Sequence, residues 1–197
     1  MRVAIVGGTG AFGLALARRL VEAGDDVVIG SRDAERAKEK AEEVGAADGR
    51  ANEDAIREVE LVVLAANASA AIGTAQALRP ALTAPLLSVA SEIPPAVARS
   101  LAERTAEVVD VPVAAGLHSL AAGKLTRGRP DEDAFVCGDD ADAKELALEL
   151  AAKVVAGRAL DAGPLASARA LEGMTAVIVN LNKRYKGHAG VRVTGLP

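Results

Sequence analysis

Apolar residues in this chain gather in short runs, at residues 3–6, 27–29, 61–66, 86–89, 108–111 and 135–137. Continuous runs of this length, rich in Val, Ile and Leu, suit strands covered on both faces of a parallel sheet. Between them the apolar positions change to helical spacing. Leu14, Ala17, Leu20 and Val21 share one face after the first run. A helix is expected over 34–44, stopping at Gly45, then a weak strand within 46–51 and a helix starting at Asn52-Glu53-Asp54. Residues 70–78 read as helical, and Pro80 and Pro85 frame the approach to the fourth run. Pro94-Pro95 is expected to open a helix through Ala106, since proline is tolerated in a first helical turn. Residues 112–133, rich in Gly and Ala, read as irregular, and 141–153 as a helix. Gly163-Pro164 then starts a long helix carrying Leu171, Met174, Val177, Ile178 and Leu181 on one stripe, with Lys183, Arg184 and Lys186 before Gly187 ends it. A stripe at this spacing is first of all core or a subunit interface. Alternation of this kind predicts an α/β protein built from parallel βαβ units.

The first turn between strand and helix carries chemistry. Gly8-x-Gly10-x-x-Gly13 follows the first run directly and opens the first helix. Gly8 makes the tight turn, Gly10 lets backbone approach a pyrophosphate, and Gly13 lets helix and strand pack closely. Free N–H groups of the first turn, at Ala11 and Phe12 among others, point at the phosphates with the helix dipole behind them. The expected fold is therefore a Rossmann-type doubly wound, mostly parallel sheet with a small C-terminal helical extension. It is expected to form one domain over 1–197, with 163–197 a C-terminal helix and tail contributing to the substrate pocket. The tip of the second strand selects the dinucleotide. A carboxylate there would bind the ribose 2′-OH of NAD; this chain has Gly30-Ser31-Arg32 instead. Ser31 can donate to a 2′-phosphate, Arg32 can pair with it, and Arg36 adds a second cation one turn into the next helix. Asp33 is expected to cap that helix. NADP is the expected cofactor.

Composition narrows the remaining classes. Half of the 197 residues are apolar and only 2% aromatic, so Ala, Val and Leu must build the core. The net charge of −4 gives no electrostatic reason to expect nucleic acid. Cys137 is the single cysteine, which excludes an internal disulfide and multi-cysteine metal sites; it is expected to be buried. No apolar stretch is long enough to span a membrane, the N-terminus reads as a strand rather than a signal peptide, and a cytoplasmic location is expected.

A hydrolytic or metal centre finds no support. There is no H-E-x-x-H, G-x-S-x-G or P-loop lysine, and Asp139-Asp140 reads as a helix-capping turn. Hydride transfer asks less: a nicotinamide held against an acceptor in a dry pocket beyond the carboxyl ends of the strands. Those ends carry residues 66–69, 88–91 and 116–119, which bring Ala66, Asn67 and His118 to the nicotinamide. His118 is the only imidazole of that set, a candidate proton donor or carbonyl polariser, with a satisfied pocket-lining histidine as the plainer alternative.

Taken together these residues resemble the NADPH:coenzyme F420 oxidoreductases. The resemblance runs nearly end to end. It is carried by Gly7-Gly8-Thr9-Gly10-x-x-Gly13, Gly30-Ser31-Arg32, Asn52-Glu53-Asp54-Ala55, Leu117-His118, Val136-Cys137-Gly138-Asp139-Asp140 and Leu160-Asp161-Ala162-Gly163-Pro164-Leu165. It implies hydride transfer between NADP and the deazaflavin coenzyme F420, with Thr9, Ser31, Arg32 and Arg36 holding the NADP and the last helix making a homodimer. Departures fall where the second substrate sits. Ala66-Asn67-Ala68-Ser69 replaces proline and bulky residues, and Ser91-Glu92 replaces a more apolar turn, which implies a wider, more polar pocket. Two alternatives stay open: an NADPH-dependent reductase of another flavin-like or small acceptor, and a non-catalytic NADP-sensing protein. A loop over 123–130 with Lys124, Arg127 and Arg129 is read two ways, as meeting the anionic tail of a deazaflavin or as a solvated basic loop.

Overall fold

A computed structural model describes residues 1–93 and 98–196. Its strands are β1 (Arg2–Val6), β2 (Asp26–Ser31), β3 (Asp48–Ala51), β4 (Leu61–Leu64), β5 (Leu86–Ser88), β6 (Val113–Gly116), β7 (Ala134–Gly138) and β8 (Ala159–Asp161). They form one eight-stranded sheet in the order β3-β2-β1-β4-β5-β6-β7-β8. Every pairing is parallel except β6 with β7, so the last two strands run against the rest. The helices are α1 (Ala11–Glu22), α2 (Ala34–Val44), the single turn α3 (Asn52–Ala55), α4 (Ala68–Leu78), α5 (Leu101–Ala106), α6 (Ala122–Arg127), α7 (Ala141–Val154) and α8 (Ala168–Tyr185).

Alternation along the strands divides the core in two. Val3, Ile5, Val27, Ile29, Leu61 and Val63 face one side, against Leu16 and Leu20 of α1, Ala37 and Ala41 of α2, and Leu150 of α7. Ala4, Val6, Val62 and Leu64 face the other, against Ala71 and Ala75 of α4, Leu101 of α5 and Leu171 of α8. The abundance of alanine has a packing reason: small side chains let helices lie close on the sheet. Strand order reverses between β1 and β4, which opens a crevice at their carboxyl ends.

The structure departs from the sequence pattern in one region above all. Residues 108–111 are not a strand. Asp110 accepts two hydrogen bonds from Arg79, at 2.7 and 2.8 Å, and Val109 is buried in a turn. The strand lies further on, at Val113–Gly116, inside the stretch expected to be irregular, and α6 lies there too. Ala114, Ala115 and Gly116 have weak strand propensity, but the neighbouring β7 comes so close that a Cβ on Gly116 would stand 2.6 Å from the Phe135 carbonyl oxygen. Small residues are what that pairing requires. The expected helix start at Pro94-Pro95 lies outside the described residues; residues 98–100 are not helical, and α5 begins at Leu101 behind a capping box of Ser100 and Glu103. The long last helix is preceded by a 3-10 turn, Leu165–Ser167, and ends one residue earlier than expected, with Lys186 in the left-handed region at φ 51°.

Candidate active site

The glycine turn is built by contact. The Gly8 N–H donates to the carbonyls of Ile5 and Gly30, both at 3.1 Å, which ties β1 to β2. A Cβ on Gly8 would stand 2.6 Å from the Ile5 oxygen, and one on Gly13 would stand 2.7 Å from the Gly8 Cα. These two glycines are packing residues. Gly10 faces open space, where a Cβ would meet only the Gly7 oxygen at 3.5 Å. Gly10 also caps α1 without a side-chain hydrogen bond, and no acidic residue lies in the first turn. The N–H groups there are free to take an anion.

Two cavities meet along this edge. One, of about 340 Å³, is lined by Thr9, Gly10, Ser31, Arg32, Arg36 and Asn67, among others. Arg32 and Arg36 are exposed and make no ion pair among the described residues. Asp33, between them, is occupied: its carboxylate accepts from the backbone N–H groups of Glu35 and Arg36 at 3.1 and 3.2 Å and caps α2. Ser31 is buried, and its Oγ accepts from the Asp33 N–H at 3.2 Å. The β2 tip thus presents a hydroxyl and two uncommitted guanidinium groups to the cleft. Asn52, which the sequence pattern did not single out as a ligand, lines the same cleft, and its buried Oδ1 has no partner among the described residues. A Cβ on Gly30 would come within 2.9 Å of that oxygen, so glycine there leaves room for it.

The second cavity, of about 240 Å³, shares Ala65, Ala66 and Asn67 with the first. Its walls include Phe12, Val89, Leu117 and Leu120, with Ser91, His118 and Thr175 as polar groups. His118 follows Leu117, whose φ of 64° is unusual for a branched residue and turns the chain so that His118 is buried at the cavity. His118 Nδ1 lies 3.1 Å from the Ser91 Oγ, while Nε2 is buried with no partner among the described residues. Burial pushes the imidazole down from 6.5 to about 4, so it is neutral near pH 7. Thr175, on α8, was not anticipated; its only signal was one hydroxyl interrupting the apolar stripe beside Met174.

Other expectations divide. Ala11 is exposed and lines neither cavity. Asp140 caps α7 and Asp139 accepts from the Leu165 N–H at 2.9 Å, as a capping turn would. Cys137 is buried, and desolvation pushes its thiol up to about 12. Residues 123–130 are not an open basic loop: α6 ends at Arg127, Lys124 is paired with buried Glu132 at 3.0 Å, and Arg129 donates to the carbonyls of Ala152 and Val155. Two of its three cations are structural, and none lines the cavities. No group of three or more metal-ligating side chains occurs among the described residues, and no helix there is long and apolar enough to cross a membrane.

Comparison with known proteins agrees with this geometry. Residues 2–92 match the family described as NADP oxidoreductase, coenzyme F420-dependent. The F420-dependent NADP reductase of Methanothermobacter marburgensis is 35% identical, with all of both chains covered. That of Methanocaldococcus jannaschii is 31% identical over all of this chain and 99% of its own. A crystal structure from an Arthrobacter species, assigned provisionally as an F420-dependent NADP reductase, has the same fold at TM-score 0.85, with 24% identity over 99% of this chain and 100% of the other. With identity above 30% over the full length of these relatives, this chain belongs to the coenzyme F420-dependent NADP oxidoreductase family.

Proposed function

We propose that this chain moves a hydride reversibly between the nicotinamide of NADP and the deazaflavin ring of coenzyme F420. The observation that carries the nucleotide half is the β2 tip, where Ser31, Arg32 and Arg36 face the cleft and Asp33 is held in a helix cap. The α1 N-terminus would hold the pyrophosphate; Ser31, Arg32 and Arg36 would hold the 2′-phosphate. Ala66 and Asn67 lie where the two cavities join and would flank the nicotinamide. Once bound, the nicotinamide and the deazaflavin supply the redox chemistry, one ring giving up the hydride that the other takes. The chain's own work is to stack the rings and keep water out, through Phe12, Val89, Leu117 and Leu120. The polar groups Asn67, Ser91 and Thr175 favour a second reading, reduction of another flavin-like acceptor by the same nucleotide half.

The whole chain, 1–197, works as one NADP-binding domain, with α8 completing the pocket through Thr175. The exposed stripe Val177, Leu181 and Tyr185 on α8 supports a homodimer through that helix. A cytoplasmic location accords with NADP as substrate.

Anaerobic mixing with NADP and reduced F420 tests the reading, followed at the absorbance of the oxidised deazaflavin. Turnover with NADP and little with NAD is expected. No turnover with F420 while NADPH still binds would transfer the activity to another acceptor. Replacing Ser31→Asp together with Arg32→Ala should weaken NADPH about a hundredfold and NADH little, since each charge-assisted hydrogen bond is worth about 1.5–3 kcal/mol. Equal losses would remove the 2′-phosphate from this tip.

A further inference from the structure

His118, Ser91 and Thr175 form a chain of hydrogen bonds whose protons can be counted. Thr175 Oγ1 lies 2.8 Å from the carbonyl oxygen of His118 and donates to it. No other described group donates to that oxygen. Ser91 Oγ lies 2.9 Å from Thr175 Oγ1 and 3.1 Å from His118 Nδ1. Each hydroxyl has one proton. Because the Thr175 proton goes to the carbonyl, only the Ser91 proton can lie in the 2.9 Å contact between the two hydroxyl oxygens; were it turned to Nδ1 instead, two oxygens would meet at that distance with no proton between them. Ser91 Oγ is then left as an acceptor, and Nδ1 must carry the proton it accepts. The reverse arrangement runs Thr175 to Ser91 to Nδ1. It would leave the His118 carbonyl without a donor and place an unpaired N–H on Nε2, two unmet groups where the first arrangement leaves one.

We infer that Ser91 and Thr175 fix His118 as the Nδ1–H tautomer, so that Nε2 presents a bare lone pair to the cavity and accepts a hydrogen bond from an amide or imide N–H of a bound cofactor ring. Three features converge on a ligand as the missing partner. Nε2 is buried, it has no partner among the described residues, and its residue lines the cavity that adjoins the cleft at the β2 tip. The low basicity that burial imposes keeps the ring neutral, which an acceptor requires. His118 is thereby a positioning group for the ring rather than a source of protons from Nε2. Ser91 and Thr175 are positioning residues that act through it, and they couple α8 to the loop after β6.

The shared chemistry, a ring-borne N–H, has two sources here. One is the carboxamide of nicotinamide; the other is the pyrimidine imide of a deazaflavin. The ligand half of the inference rests on the hydride-transfer reading, whereas the tautomer is a property of the cofactor-free chain. Long-range ¹⁵N–¹H correlation on uniformly ¹⁵N-labelled protein reads both nitrogens of each imidazole directly. Only two histidines exist, and a His188→Gln variant leaves the signals of His118 alone.

In the cofactor-free protein His118 is expected as Nδ1–H with Nε2 bare; an Nε2–H tautomer overturns the inference. Thr175→Val frees the Ser91 proton to bond Nδ1, so the tautomer should switch to Nε2–H, and Thr175→Ser should restore Nδ1–H. A T175V protein that keeps the Nδ1–H form overturns the role of Thr175. Adding NADP alone, then F420 alone, should move the Nε2 resonance with one of them, which identifies the donor. If both bind, as amide shifts at Gly10 and Ser31 and quenching of F420 fluorescence would show, and Nε2 stays unmoved, acceptance from a ligand is overturned while hydride transfer stands. Absence of F420 turnover with the Nδ1–H tautomer intact and Nε2 moved by NADP would instead overturn only the F420 reading. In the active enzyme T175V should lower kcat/KM about tenfold to hundredfold, with T175S near the parent.

Discussion

Burial alone sets the acid behaviour of His118. Its imidazole is pushed down to about 4 in the folded chain against an ordinary 6.5. The unfolded chain therefore takes up a proton that the native state refuses. The stability contributed is fully present above pH 6.5 and is lost as pH falls from there towards about 4. Urea unfolding at pH 7 and pH 4.5 should show a decline that is shallower in His118→Gln than in the parent. Equal slopes would place the titration elsewhere. Leu117 belongs to the same account. A residue other than glycine in the left-handed region costs about 1–2 kcal/mol, and here it delivers the following side chain to the cavity.

Between elements, the contact that seats α8 is a carboxylate. Glu172 is buried, and both of its oxygens are used: it accepts from the N–H groups of Leu101 and Ala102, at 3.0 and 3.1 Å. A residue of one helix thus caps the N-terminus of another, and burial raises its pKa against those bonds. Glu172→Ala should cost about 2 kcal/mol in chemical denaturation, because two buried donors lose their acceptor. Since α8 also carries Thr175, the same change should weaken the cavity side of the site more than NADP binding; comparing the Kd for NADPH with the KM for F420 checks this. The β6 region shows how elements escape pattern reading. Val108, Val109 and Val111 carry the composition of a strand, yet the chain turns there, and Ala114-Ala115-Gly116 pairs instead. Proximity to the reversed strand β7 outweighs propensity.

For the molecule as a whole, the sheet buries its strands between two helix layers, and α8 is left with one face uncovered. Leu171 and Ile178 pack inward, whereas Val177 and Leu181 are 57% and 41% exposed. This apolar stripe is the surface that the proposed homodimer would cover. Leu181→Glu should convert a dimer to monomer in light-scattering chromatography without loss of secondary structure. A parent that elutes as a monomer would remove that contact. Beyond α8 the tail returns to the sheet, where buried Asp133 accepts from the Val193 N–H at 2.8 Å and pairs with Arg158 at 2.8 Å. Those partners hold the Asp133 carboxyl well below the usual carboxylate range.

The sequence by itself determined the dinucleotide half of this protein. Its determinants are local: a strand, a glycine turn, a helix N-terminus and the tip of the next strand lie within residues 2–36, so spacing alone brings them together. Cap residues Asp33 and Asp140 were legible for the same reason. What only the tertiary structure decided depends on distant pieces of chain. The place of β6 depends on a strand that pairs backwards. The role of Lys124 depends on Glu132, and that of Arg129 on the carbonyls of α7's last turn and Val155. The cavity wall depends on Thr175 meeting Ser91 across 84 positions of sequence, and the state of His118 depends on both. Hydrogen-bond directions and burial are properties of that assembly, and no local pattern of residues encodes them.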